Sequence, residues 1–170
     1  YEGVKCGLKA ESGKKTCFWC TPAGKRQYPG GTDEFLKGRV AKGLPLEGFV
    51  LVGSEINAID LPGACFHRAD LTAAGFREAR MPGSDLTNAT LVETDLGEAD
   101  LRDCDFSEAD MERATLDYSD LSGSTFADTR MERLRGVEIT MREANLAGAN
   151  LKEAWIEDSD LSGSSFEGAD

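Results

Sequence analysis

Between residues 99 and 116 the chain reads ADLRDCDFSEADMERATL, and Leu101, Phe106, Met111 and Leu116 fall five residues apart. The same step runs without a slip from Leu46 to Phe166. Of its 25 positions, 24 hold a large apolar residue, and Gly136 is the exception. A second series lies two residues before each of these positions. From Ala64 to Ser164 it is Ala, Ser, Thr or Cys, except at Leu134 and Ile139.

Neither regular backbone can use this period. On a helix a step of five turns about 500°, so successive large residues would spiral over every face. On a strand an odd step changes face each time. A chain that turns a corner in every repeat and winds into a coil does satisfy the pattern. The large side chain then points to the axis and the small one fills the inner corner. Successive coils stack like parallel strands, ~4.8 Å apart.

Ala69-Asp70-Leu71, Ala99-Asp100-Leu101, Ala144-Asn145-Leu146 and Ala149-Asn150-Leu151 resemble the A-(D/N)-L-x-x motif of the pentapeptide-repeat family. The resemblance covers about residues 44–170. It implies an all-β solenoid, a right-handed quadrilateral parallel β-helix with four repeats per coil, preceded by a small irregular Cys-containing segment. Just over six coils would make a rod of roughly 30 Å. Every twentieth residue then forms a column. Leu46, Phe66, Leu86, Phe106, Phe126, Leu146 and Phe166 make one core ladder. In another, Gly136 stands between Leu116 and Ile156, and a missing side chain there costs a few kcal/mol. The oversized corners Leu134 and Ile139 are expected to fill that space; a local bulge is the alternative.

The charge divides the chain in two. Net charge is −12, but residues 1–41 carry eight Lys/Arg against four Asp/Glu, and residues 42–170 carry 11 against 27. We therefore separate a basic N-terminal extension, 1–41, from an acidic repeat body, 42–170. The first inner corners, Leu44, Phe49 and Ile59, are oversized, and a solenoid end needs a cap. The extension is expected to supply it, with Asp33–Val40 forming one or two helical turns. Beyond Asp170 either more chain or another molecule is expected to cover the far end. The start at Tyr1 reads as a processed chain or part of a longer one, and no apolar run approaches a membrane span.

Cys6, Cys17 and Cys20 lie in the extension as C-x10-C-x2-C. A redox C-x-x-C needs a strand–helix setting that is not evident here. Zinc held by Cys6, Cys17 and Cys20 needs a fourth ligand, which Cys65 or His67 could supply. Disulfides and free structural thiols are the other two readings. Cys104 occupies an Ala slot and reads as a buried small residue. No cofactor is otherwise expected.

Carboxylates fall at fixed outward steps, as on a solvated face, and no phosphate loop, nucleophile elbow or metal-protease motif appears. The chain reads as a non-enzyme that binds through its outer walls. Trp155 takes a slot usually filled by Asp or Asn. Four-repeat coils put it on one wall with Val137 and Tyr118, among Glu98, Glu138, Glu157 and Asp158. Val52 and Val92 mark a second candidate stripe. The expected partners are other protein subunits, with no direct nucleic-acid binding. The family resemblance implies two roles. One is an accessory scaffold of a larger complex, as for thylakoid-lumen members, a reading that the head cysteines and the start at Tyr1 also favour; the expectation is then a photosynthetic complex of the chloroplast thylakoid lumen, with the chain peripheral to a membrane complex. The other is a DNA-mimicking modulator of a type II topoisomerase, which the acidic body suits and the interleaved Arg77, Arg102, Arg113, Arg133 and Arg142 dilute.

Overall fold

The computed structural model of the protein describes residues 31–170. Its elements in chain order are helix α1 (Gly31–Val40), strand β1 (Arg135–Val137) and strand β2 (Trp155–Glu157). Between them the backbone is organised by parallel pairing across a constant interval of twenty. Val50 pairs with Asp70, Glu55 with Gly75, Asp60 with Arg80 and Cys65 with Asp85, and the series continues to Asn145 with Ser165. Each turn of the coil thus holds four repeats and takes twenty residues.

The pairing bonds explain why so little of this chain is continuous strand. In a typical repeat two amides donate forward, as Leu51 N–H to the Asp70 carbonyl at 2.8 Å and Gly53 N–H to the Thr72 carbonyl at 2.9 Å, and one donates back, as Asp70 N–H to the Phe49 carbonyl at 2.7 Å. The rest of the repeat is a turn closed by bonds such as Ala69 N–H to the Phe66 carbonyl, 2.8 Å. Every fifth residue from Gly43 to Gly168 has positive φ, and most of them are not glycine. The expected all-β solenoid is therefore a stack of single parallel bridges joined by tight turns. Among the described residues only β1 and β2, which pair in parallel as Arg135 with Trp155, Gly136 with Ile156 and Val137 with Glu157, run for three residues.

The large apolar series lies inside. Phe66, Leu86, Phe106, Phe126 and Leu146 are fully buried. Phe106 and Phe126, one coil apart, stack with centroids at 4.9 Å and planes 3° from parallel. Phe166 departs from the expected core ladder: it is 42% exposed, because no further coil of the described residues lies over it. At Gly136 a side-chain carbon would stand 3.0 Å from Ile139 Cδ1 and 3.3 Å from Ile139 Cγ2. Ile139 therefore occupies the space that the missing side chain leaves. Leu134 is fully buried, but it is not among the nearest atoms there.

The small corner residues also carry hydrogen bonds. The Thr94 hydroxyl donates to the Leu71 carbonyl, Ser124 to Leu101 and Thr129 to Phe106, each at 2.8 Å and each across 23 residues. Ser124 Oγ also accepts the Cys104 N–H at 3.0 Å. A buried hydroxyl needs such a partner, and here it finds one on the neighbouring coil. The Cys104 thiol follows the same rule, donating to the Met81 carbonyl at 3.1 Å.

Helix α1 lies against the first coil. Ten residues are too few for a stable isolated helix, and α1 gains its support by burying Leu36 in the core. Phe35 stacks on Phe49 at 6.5 Å, and the Arg39 guanidinium sits 5.2 Å from the centre of the same ring. Arg39 also donates to the Pro45 carbonyl through Nε at 3.2 Å and Nη2 at 2.7 Å. Asp33 and Glu34 in its first turn and Lys37 and Arg39 in its last match the helix dipole. Phe49 and Ile59 are buried as oversized corners, but Leu44 is not a corner. It is 44% exposed, because its N–H still bonds the Arg39 carbonyl and holds it in the turn that ends α1.

Candidate functional site

The coil brings together on one face three short segments that lie far apart in sequence: 115–118, 135–138 and 155–158. Trp155 is aligned with Arg135 in the β1–β2 register, and Glu157 with Val137. Tyr118 N–H donates to the Val137 carbonyl at 2.8 Å, which joins the third segment. Trp155 is 62% exposed and Tyr118 54%, and Val137 is half-buried between them. These large side chains stand outward because their slots flank the inward positions Leu116, Gly136 and Ile156. Tyr118 occupies a turn corner, with φ 63°.

Polar contacts fix this face. The Trp155 indole Nε1 donates to Glu157 Oε2 at 3.1 Å, along its own strand. Arg135 Nε donates to Asp117 Oδ2 at 2.8 Å, while Asp117 Oδ1 accepts the Val137 N–H at 2.9 Å. One carboxylate thus pins both the backbone and the guanidinium of the next coil, and raises the Arg135 pKa further above its ordinary range. Higher on the same wall Arg77 pairs with Glu98. It lies across Gly97, where a side-chain carbon would come within 2.8 Å of Arg77 Nη1. Spacing shows Trp155, Val137 and Tyr118 on one wall, but not the Asp117–Arg135 pair. Its signal is a separation of 18, which recurs in Arg130 with Glu112 and Asn150 with Glu132.

The adjoining walls are laced with ion pairs. Arg80 lies 3.3 Å from Asp60 and 3.6 Å from Asp100. Arg102 meets Asp100 at 2.8 Å, and its hydrogen bond lowers the Asp100 pKa. Arg130 reaches Asp110 at 2.8 Å and Glu112 at 3.0 Å, and Arg133 reaches Glu153 at 2.7 Å. Of the second apolar stripe, Val52 is exposed and Val92 half-buried.

Cys65 and His67 flank the inward Phe66 and engage the next coil separately. Cys65 Sγ lies 3.8 Å from Asp85 Oδ2, and His67 Nδ1 lies 2.7 Å from Thr87 Oγ1. With the Thr87 proton given to Asp85 at 2.6 Å, His67 Nδ1 is the donor. Burial pushes the Cys65 thiol up, and pushes that of Cys104 to about 12. Both are poor nucleophiles in this state. Cys6, Cys17 and Cys20 lie outside the described residues. Among the described residues no three His, Cys, Asp or Glu converge to hold a metal ion, and no helix is long and apolar enough to cross a membrane.

Comparison with known proteins agrees with this architecture. The sequence profile for pentapeptide repeats, in eight copies, matches residues 64–103, 94–133 and 138–170. No curated protein matches the chain. Among solved structures it is similar to HetL, a pentapeptide repeat protein involved in heterocyst differentiation regulation in the cyanobacterium Nostoc. That match has 25% identity and a TM-score of 0.61, over 73% of this chain and 60% of HetL. The chain therefore spans less than two thirds of that relative. QnrB1, a plasmid-mediated fluoroquinolone resistance protein, aligns at 16% identity and a TM-score of 0.47, over 74% of this chain and 78% of its own. A pentapeptide repeat protein of the Arabidopsis thaliana thylakoid lumen aligns at 23% and 0.30, over 70% and 62%. With the profile covering more than half of the sequence and the twenty-residue pairing running through the described body, the chain belongs to the pentapeptide-repeat family.

Proposed function

We propose that this protein is a non-catalytic scaffold, an accessory subunit that binds other proteins through the outer walls of its repeat body. Its main contact face is the wall of Tyr118, Val137 and Trp155; Val52 and Val92 form a secondary one. The observation that carries this reading is the outward projection of Trp155 and Tyr118 from one wall whose backbone is fixed and whose Asp117, Arg135 and Glu157 side chains are held by hydrogen bonds. Exposed aromatics on a rigid support, ringed by charge, are the usual anchors of protein interfaces. We further infer that the coil is right-handed, as parallel crossovers are, and four-sided, one wall per repeat. The division into a capping extension, 1–41, and a repeat body, 42–170, belongs to the same proposal, supported by α1 packing on the first coil.

Affinity capture from the native source, with the bound proteins identified, tests this reading. Trp155→Ala should lose the specifically retained partners, whereas Glu108→Gln on the opposite wall should keep them. Equal retention by both variants removes this wall as the interface. The acidic body, 27 Asp/Glu against 11 Lys/Arg, favours a second reading as a DNA mimic acting on a type II topoisomerase. The arginine-bearing ion pairs on the adjoining walls weigh against it. Salt-sensitive inhibition of DNA gyrase supercoiling by the purified chain would reverse this order.

A further inference from the structure

We infer that the wall of Tyr118 and Trp155 receives a cationic, Lys- or Arg-bearing segment of a partner protein; this rests on the protein-binding reading above and adds the chemistry of the partner. The molecule itself leaves negative charge on this wall unneutralised. Over 115–118, 135–138 and 155–158 the wall presents four carboxylates, Asp117, Glu138, Glu157 and Asp158, and one guanidinium, Arg135. That guanidinium is tied to Asp117, and Glu157 accepts from the Trp155 indole. Glu138 and Asp158 sit on turn corners one coil apart, with φ of 53° and 52°. Among the described residues neither carboxylate has an ion-pair or hydrogen-bond partner.

The neighbouring wall over the same three coils, 110–113, 130–133 and 150–153, carries four acids and four bases and is neutral. Excess acid is therefore uneven between walls: the other neighbouring wall, 120–123, 140–143 and 160–163, carries three acids and one base. The opposite wall, 105–108, 125–128 and 145–148, also carries three acids in excess, but its aromatic residues, Phe106 and Phe126, are buried. Over these three coils, among the described residues, it is the Trp155 wall that joins uncompensated carboxylates to exposed rings. An apolar or acidic partner docking on these rings would strip water from Glu138 and Asp158 and give nothing in return. A guanidinium or ammonium group would pair with them and could stack on the Trp155 or Tyr118 face. The same charge argues against an anionic membrane surface.

The test titrates fluorescently labelled octa-arginine into the full chain and follows anisotropy, with octa-glutamate as the counter-probe. Two charge-matched variants decide it. Glu138→Gln/Asp158→Asn removes two carboxylates one coil apart on the proposed wall. Glu108→Gln/Asp128→Asn removes two one coil apart on the opposite wall. The first should weaken octa-arginine binding about fivefold and the second less than about twofold. Trp155→Ala/Tyr118→Ala, which leaves net charge unchanged, should also weaken binding about fivefold. In wild-type protein, an octa-arginine peptide ending in benzoylphenylalanine should photocrosslink within 115–118, 135–138 or 155–158, a readout that does not depend on any variant folding. Equal losses from the two carboxylate pairs, no effect of removing the rings, crosslinks confined to other walls, or equal binding of octa-glutamate would each overturn the proposal. If it fails while Trp155→Ala still loses its captured partners, the interface stands and its partner is not cationic. If both experiments fail, the interface falls as well.

Discussion

The residues that bear most of the conformational burden are those at the turn corners. Among the described residues, seventeen that are not glycine hold φ between 52° and 63°, a region that costs an L-amino acid roughly 1–2 kcal/mol. Glu108 is one of them, at φ 58°, held by its N–H bond to the Ala127 carbonyl at 2.9 Å. Glu108→Gly should therefore stabilise the protein, by about 0.5–1 kcal/mol after the entropic cost of glycine; urea unfolding measures it. The sequence hints at these corners only where glycine occupies them, as at Gly123 and Gly163. Elsewhere Glu, Asp, Arg, Ala, Asn or Tyr accept the strain, so a local reading passes over them. A second test concerns pH. The Asp160 carboxyl is lowered from its ordinary 3.8 to about 2, first by the hydrogen bonds from Ser162 and then by Arg142. A depressed carboxyl stabilises the fold above its unfolded pKa and loses that contribution as pH falls through its folded pKa. Asp160 should thus contribute fully above about pH 4 and nothing much below 2. An NMR titration should place its midpoint near 2, and Ser162→Ala should move it upward.

Within one coil, the exchange of volume between Gly136 and Ile139 shows how a repeat absorbs a missing core side chain. Gly136→Leu should clash with Ile139 and cost about 1–3 kcal/mol. Ile139→Ala should leave a void and cost about 2–5 kcal/mol. Together they should recover at least about 1 kcal/mol of the summed loss, since the two positions share one space; additive losses in denaturant melts would refute the exchange. This pairing was legible in the sequence, because an oversized corner stood three residues from the gap. Leu134 carried the same signal, yet its side chain is not among those nearest the gap. The Asp117–Arg135 contact was not legible, because it depends on how far an arginine reaches across a coil boundary. Leu44 misled for a different reason: the period of five gives no sign that the turn ending α1 overrides it.

For the whole molecule, stability is the sum of nearly identical contacts between neighbouring coils. Inserting a second copy of residues 91–110 after Asp110 should yield a folded protein with an unchanged or higher melting temperature, because it adds one full turn and keeps every column in register. Inserting only three residues there should lower the melting temperature sharply, since inward and outward positions no longer match across the join; thermal circular dichroism separates the two. The fold was readable at this scale because twenty is four times five. The charge of each wall was readable too, once the columns were drawn. What the periodicity could not give was which carboxylates find arginine partners, since that is decided by side-chain length and rotamer. The pairing interval has one more consequence. Tyr118, Val137 and Trp155 are contributed by three separate passes of the chain, so no contiguous peptide shorter than ~40 residues holds all of them, and one of that length has no second coil on either side to keep it wound. Overlapping-peptide arrays will miss the surface altogether, and an antibody raised against any linear fragment will not compete for it; only reagents selected on the intact rod can block it.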